Sequence, residues 1–416
     1  MYRSRGRGSG SYPGRGSNRP APASIPRRDY HEGLGTTALK VLNKPSTGAS
    51  AQDVQITNLE YLASYNWVEA QKPTIIVPGA PREWIDRPLP FRVDRDTGLL
   101  FVDQNGYRVP TAVLLPLFTA VDIVDEDMGR ATFDWLGVDF VTDRNGLRKL
   151  LRWINGTADK TFRIDMQLAG KKTVLLNRWE EATREPSRGA FGFGFEKATT
   201  EPAPGCERST GHHRIVTYDL NGLKMVVRFE VDACLPPPSN RTASMPTPVA
   251  GPDDLADSLG GLNISSQAQA RASEATSDRS GINIIHAGSA DIAQYRIIEL
   301  TTRSEKNVDT FDWVNQYPQL FLSETLHHYL GIHVGGRFTD IVKRKLHTPD
   351  MRDVEKDAKD SFGKLRRALQ DIQDIVVESG ERGRLTLLCE GGTLKVFVRQ
   401  TTESCIPDEI IQRFEQ

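Results

Sequence analysis

Apolar positions along this chain follow two patterns. From about residue 54 to residue 235 the apolar runs are short, rich in β-branched and aromatic residues and broken by turn-forming pairs, which predicts strands. Residues 162–177 (FRIDMQLAGKKTVLLN) alternate about Gly170, and a second hairpin is expected to turn at Asn221-Gly222. Asn105-Gly106 is read as a turn of the same kind, and 188–200 (RGAFGFGFEKATT) as a glycine-kinked strand with Phe191, Phe193 and Phe195 on one side. Helical spacing appears at Leu147, Leu150 and Leu151, where Asp143 or Asn145 can cap and Arg144, Arg148, Lys149 and Arg152 are left to point away from the core. A solvated basic face and a phosphate-binding helix start are both open there. The helical pattern returns over 353–380, where Phe362, Leu365, Leu369, Ile372 and Val376 recur and Gly380 is a stop signal. A hairpin through Gly391-Gly392 and a short helix over 407–414 close the chain. His327 and His328 are assigned to the helix that begins near Trp313, and the adjacent His212 and His213, in a strand, point to opposite faces and so do not form a joint metal site.

Two stretches lack either pattern. Residues 1–28 carry seven arginines (Arg3, Arg5, Arg7, Arg15, Arg19, Arg27, Arg28) and no acid among Gly, Ser and Pro, too little apolar surface to offset the entropy of ordering. Such a tail suits RNA phosphates and bases, solubility or nuclear targeting equally. Residues 236–281 are rich in Ser, Pro, Gly and Ala and read as a disordered insert, whose length does not prevent the strands on either side from being neighbours. The expected organisation is a tail over 1–50 and one large α/β domain over 51–416, a mixed β core flanked by helices and interrupted by 236–281. Its DDLAD run, 253–257, resembles the Asp-rich motif of prenyl diphosphate synthases, but those enzymes need it on a core helix.

Composition narrows the classes. With 416 residues, 38% hydrophobic and 26% charged, the chain can bury a large core. Lys+Arg 53 against Asp+Glu 54 leaves a formal net charge of -1, so nucleic-acid affinity must come from a local groove or tail. Four cysteines without C-x-x-C spacing and without a secretory leader suit a reducing compartment, nucleus or cytoplasm, and no apolar run is long enough to cross a bilayer.

Candidate chemistry lies in two strand-like segments, 223–233 (LKMVVRFEVDA) and 295–303 (YRIIELTTR). A strand repeats its facing every second residue, so Glu230 shares a face with Asp232, and Glu299 with Thr301. Carboxylates in apolar strands are costly to desolvate unless a cation meets them, and these segments side by side would gather oxygen ligands for Mg²⁺ or Mn²⁺. Acids at a solvated sheet edge are the plainer alternative.

In their order, these motifs resemble the DXO-like decapping exoribonucleases of the PD-(D/E)XK nuclease superfamily, over residues of about 140 to about 346. Arg144 with Gly146 is similar to the family's arginine-bearing first motif, which usually has Trp where Asp143 stands. FGFGFE, ending at Glu196, resembles its glycine-aromatic-glutamate motif; Glu230-Val231-Asp232 its Glu-apolar-Asp strand; Glu299-Leu300 the start of its Glu-apolar-Lys strand; and Gln319 a substrate-contacting glutamine. Thr301 replaces the family lysine, which marks a divergent, fungal-type member. The resemblance implies a metal-dependent RNA 5′-end nuclease (decapping, pyrophosphate removal or 5′ to 3′ digestion). Glu196, Glu230, Asp232, Glu299 and the Leu300 carbonyl would hold Mg²⁺ or Mn²⁺, with Arg144 and Gln319 on the 5′ phosphate and a 5′ to 3′ exoribonuclease as an expected partner. Because a hydroxyl cannot replace a lysine that orients water and offsets phosphate charge, a pseudonuclease that binds RNA or regulates a partner is the alternative. Arg303 and Lys224 lie on the relevant faces, either as compensating cations or, the favoured reading, as ordinary flanking charges.

Overall fold

The computed structural model describes residues 25–46, 53–238, 273–276, 281–290, 292–380, 383–401 and 403–415. Most of the 236–281 stretch, DDLAD included, lies outside them. Among the described residues two large sheets form, one of twelve strands and one of seven, with helices packed against them in a mixed α/β domain. At the centre of the larger sheet Phe162–Ala169, Thr173–Trp179, Phe140–Asp143, Lys224–Val231, Ser209–Leu220 and Ile56–Val68 lie side by side in that order. Both expected hairpins are present: Gly170 takes φ +59°, and Asn221 and Gly222 take φ 46° and 83°, the left-handed pair that a two-residue turn needs. The long helix is Arg352–Glu378, and Phe362, Leu365, Leu369, Ile372 and Val376 are buried in the same core cluster as Leu147, Leu150 and Leu151.

The two sheets meet within one segment. Lys224–Val231 belongs to the large sheet and Ala233–Cys234 to the smaller one, where it pairs antiparallel with Ile297–Ser304. Asp232 is the single residue between them, so the chain leaves one sheet for the other at the acidic motif. The smaller sheet continues parallel from Ile297–Ser304 to His327–Val334, then antiparallel to Arg337–Lys345.

Several sequence expectations are corrected. The described chain enters the stretch assigned to the tail: Lys40–Leu42 pairs antiparallel with the strand Thr393–Val398, the Arg28 guanidinium lies 4.4 Å from the Trp179 ring centroid, and Arg27 pairs with Glu181 at 2.9 Å. Within the expected insert, Ser273–Thr276 pairs with Asn283–Gly288. Asn105-Gly106 lies in a short helix, Gln104–Arg108, because buried Asn105 Oδ1 accepts from Tyr65 Oη and Trp67 Nε1 at 2.5 and 2.9 Å. Residues 192–199 are a helix, Gly192–Thr199: Asp96 accepts the N–H groups of Phe193 and Gly194 at 3.1 and 2.9 Å, while Phe195 stacks on Phe338. His327 and His328 open a strand, since His328 is pulled into a buried aromatic cluster with Phe311 and Trp313. Nor is the helix Arg144–Ile154 left with a solvated basic face; Arg144 and Lys149 are buried, and Lys149 Nζ reaches Glu180 at 2.9 Å.

Asp143 occupies the position before that helix without capping it. Its carboxylate instead takes the Arg228 guanidinium through bonds of 2.6 and 2.9 Å. The two residues stand in register across parallel strands, and Arg228 also donates to Val113 O and Tyr65 Oη. Removing one member strands a buried charge, which typically costs about 3–5 kcal/mol, whereas replacing both by apolar residues is far less damaging. Arg228→Met is therefore expected to lower unfolding free energy in urea by that amount, and Asp143→Leu combined with Arg228→Met to recover most of the loss.

Candidate metal and phosphate site

The residues named from the sequence gather where the two sheets join. Glu299 projects from its strand into a nest of donors: Arg144 Nη1 lies 3.2 Å from Glu299 Oε2, and Gln319 Nε2 donates to Oε1. The same Arg144 nitrogen donates to Gln319 O and to Ser323 Oγ, at 3.2 and 3.1 Å, and the guanidinium lies 5.4 Å from the Phe229 ring centroid. Gln319 belongs to the helix Trp313–Phe321, opened by Asp312, whose side chain accepts from Asn315 N. Arg144 thus fastens two helices to one acid.

Asp232 is held from the other side: the Leu300 N–H donates to its Oδ2 at 2.7 Å, locking the sheet junction onto the Glu299 strand. Glu230 is open to water, yet protein crowds it closely. A Cβ at position 211 would meet the Gln104 amide first and then Glu230 Oε1, at 2.9 Å, so Gly211 makes room for both side chains. Glu196, half-buried on the helix Gly192–Thr199, completes the group. Among the described residues nothing donates a hydrogen bond to the carboxylates of Glu196 or Glu230.

Electrostatics show that the four acids share one region. Burial and then Glu230 push the Glu196 carboxyl up to about 7, with Arg82 opposing. Asp232 is raised well above its ordinary range by burial, then by Glu299 and Glu196. Glu230 is raised by burial and by Glu299, while Arg178 and Arg144 pull it back. Arg178 was not found from the sequence. It lies on Thr173–Trp179, fixed by Glu180 Oε1 at 2.7 Å and by Val102 O at 2.5 Å, and no motif marks it. The helical setting of Glu196 did leave a trace, because Phe191, Phe195 and Thr199, all buried, recur every four residues.

Thr301 has partners of its own. Gln316 Nε2 donates to its Oγ1 at 3.3 Å, and His328 Nε2 lies 3.2 Å away. His328 is fully buried, and burial pushes its pKa down to about 3, so its ring is neutral. Neither proposed substitute cation reaches inward: Arg303 donates to Asn307 O and Thr310 O, and Lys224 Nζ lies 5.2 Å from the Phe133 ring centroid. The adjacent histidines are likewise separated, His212 bonding Asn66 and His213 stacking on Tyr65.

Residues 36–415 match the family described as Domain of unknown function (DUF8563), and the chain belongs to that family. No curated protein matches it by sequence. Solved structures match in fold. Scheffersomyces stipitis Rai1, in complex with (3′-NADP)+ and calcium ion, gives a TM-score of 0.56 at 12% identity over 90% of this chain and 99% of that one. Candida albicans Rai1 in complex with pU5-Mn²⁺ gives 0.54 at 12% identity, covering 90% and 98%. S. pombe Rai1 gives 0.53 at 12% identity, covering 86% and 97%. The fold is therefore the one shared by these Rai1 structures.

The donor set suits a hard divalent cation: all oxygen, and with two carboxylates that no described group satisfies. Their placement is less complete. Among the described residues no three acids lie close enough together to hold a metal ion as they stand, and both oxygens of Glu299 are engaged by Arg144 and Gln319. Without a cation, a carboxyl with a raised folded pKa stabilises the fold while protonated. That stability is complete below its ordinary value of 4.5 and is lost as pH rises through about 7, as for Glu196. In EDTA the Tm is expected to fall between about pH 5 and about pH 8 and Asp232→Asn to flatten that fall. Thermal scans across the range check this, and parallel curves for the two proteins would show that the acids do not interact.

Proposed function

We propose that this chain is a divalent-metal-dependent nuclease acting on RNA 5′ ends, by decapping, pyrophosphate removal or 5′ to 3′ digestion. The observation that carries the reading is that Glu196, Glu230, Asp232 and Glu299, from three segments, act on one another electrostatically while Arg144 and Gln319 engage Glu299. The fold shared with Rai1 proteins, one of them solved with pU5-Mn²⁺, supports it. Bound Mg²⁺ or Mn²⁺ would supply an activated water and charge neutralisation at the departing oxygen.

Within this reading Glu196, Glu230, Asp232, Glu299 and the Leu300 carbonyl would hold the cation. The Leu300 N–H keeps Asp232 oriented, and exchange of the Arg144 guanidinium from Glu299 to the incoming phosphate frees that acid for ligation. A guanidinium donates to a carboxylate and to a phosphate alike. The Gln319 amide, beside the same carboxylate, takes the remaining phosphate oxygen. Delivery of trimmed 5′ ends to a 5′ to 3′ exoribonuclease, in nucleus or cytoplasm, belongs to the same proposal.

Thr301 favours a second reading, an RNA-binding or regulatory subunit without turnover. Its hydroxyl accepts from Gln316 and lies beside a neutral histidine, so the side chain at the position where the resemblance places lysine carries no charge. One preorganised group of that kind is typically worth about 10²–10³ in rate. With Mn²⁺ and 5′-triphosphate, 5′-monophosphate or incompletely capped RNA, the wild type is expected to turn over slowly, Glu230→Ala to abolish turnover, and Thr301→Lys to raise it by about 10²–10³-fold. Tight RNA binding by a wild type that never turns over, with activity appearing only in Thr301→Lys, would establish the second reading.

A further inference from the structure

The helix Arg144–Ile154 carries arginines at 144, 148 and 152, one every four residues, so each is displaced about 6 Å along the axis from the last and all fall within one side of the helix. Only the first has an acid. Arg144 pairs with Glu299, whereas Arg148 and Arg152 make no ion pair among the described residues. Among the described residues Arg148 has one side-chain hydrogen bond, from Nη2 to Asn315 O at 3.3 Å, on the helix that also carries Gln316 and Gln319. A guanidinium has five N–H donors, so one carbonyl leaves most of its capacity unused.

Its surroundings are unfavourable to a lone cation. Arg144, Arg152 and Arg178 all act on Arg148, and the one acid that does so, Glu299, is already engaged by Arg144. Burial first, and then those arginines, lower the Arg148 pKa to about 10. A half-buried cation among cations gains most from an anion that enters with a ligand. The neighbouring basic residue is a control within the same helix: Lys149 points the other way and is satisfied by Glu180 and by Trp179 O.

We propose that Arg148, followed by Arg152, binds the phosphates next to the one held at Arg144, so that an RNA strand with its 5′ end at the acid cluster leaves along the helix Arg144–Ile154 toward its C-terminal end. The inference rests on the functional reading above and adds the path of the strand and the residues that track it. A purely architectural role, bridging to Asn315, is the competing explanation for Arg148.

The test measures equilibrium binding of 5′-UMP, 5′-phosphorylated diuridylate and 5′-phosphorylated hexauridylate, in Ca²⁺ to suppress turnover, across a salt series. Arg148→Ala is expected to leave 5′-UMP affinity unchanged and to weaken both longer ligands. The slope of log K against log salt for the hexamer should become shallower by about 0.7, which makes a fourfold rise in salt about 2.6-fold less damaging. Arg152→Ala should spare the dimer and weaken the hexamer, and Arg148→Lys should retain the slope. An unchanged slope, or equal losses for 5′-UMP and hexamer, would overturn the inference in favour of the architectural role. A wild type that binds none of the three would instead bring down the functional reading, and this inference with it.

Discussion

Carboxylates placed near one another at a sheet junction repel each other and resist ionisation, and the rest of this site is arranged around that repulsion. Glu196, Glu230 and Asp232 are all pushed upward by burial and by their acidic neighbours. Arginines and one backbone N–H offset the charge: Arg144 on Glu299, Arg178 and Arg144 facing Glu230, Arg82 facing Glu196, and the Leu300 amide on Asp232. Those cations are themselves secured by further partners, such as Asp103 and Glu180 around Arg178 and Thr200 around Arg82. A site of this kind is poised to gain from a divalent cation and from a polyanion together, because each relieves what the other leaves unbalanced.

The position of the site follows from how the chain moves between sheets. A strand that ends in one sheet and resumes in another after a single residue cannot keep its ladder across the break, so Asp232 is released from both and is available to accept from Leu300. Because the second sheet begins at that point, the Glu299 strand must lie alongside, and the helix Trp313–Phe321 with the turn after it returns Gln319 and Ser323 to Arg144. Topology therefore concentrates the chemistry. Thr301, on the same face of that strand as Glu299, meets the same helix through Gln316 and lies beside the neutral His328.

How far the sequence could be read depended on whether a pattern was local. Gly170, Asn221-Gly222 and Gly391-Gly392 demand positive φ, and the amphipathic spacing of 353–380 demands one buried face, so hairpins and long helix were legible from a few residues each. The helix Gly192–Thr199 was misread because two glycines and alternating phenylalanines imitate a strand, while the group that starts the helix, Asp96, lies almost a hundred residues earlier. Asp143 was expected to cap because capping is a local habit of aspartate; a buried arginine across two parallel strands outweighed it.

The sequence by itself determined the long helix, the turns at Gly170 and Asn221-Gly222 and the acidic strand that follows the second, since these depend on residue type and short-range spacing, while the ordered resemblance to a known family marked Glu196, Arg144 and Gln319 as candidates. Only the tertiary structure decided that the four acids act on one another, that Arg144 closes on Glu299, that Arg178 and Arg82 share the balancing of charge, and that Thr301 faces a neutral histidine. Charge interactions reach through space between residues far apart in the chain, and neither their sign nor their partners can be read from local periodicity.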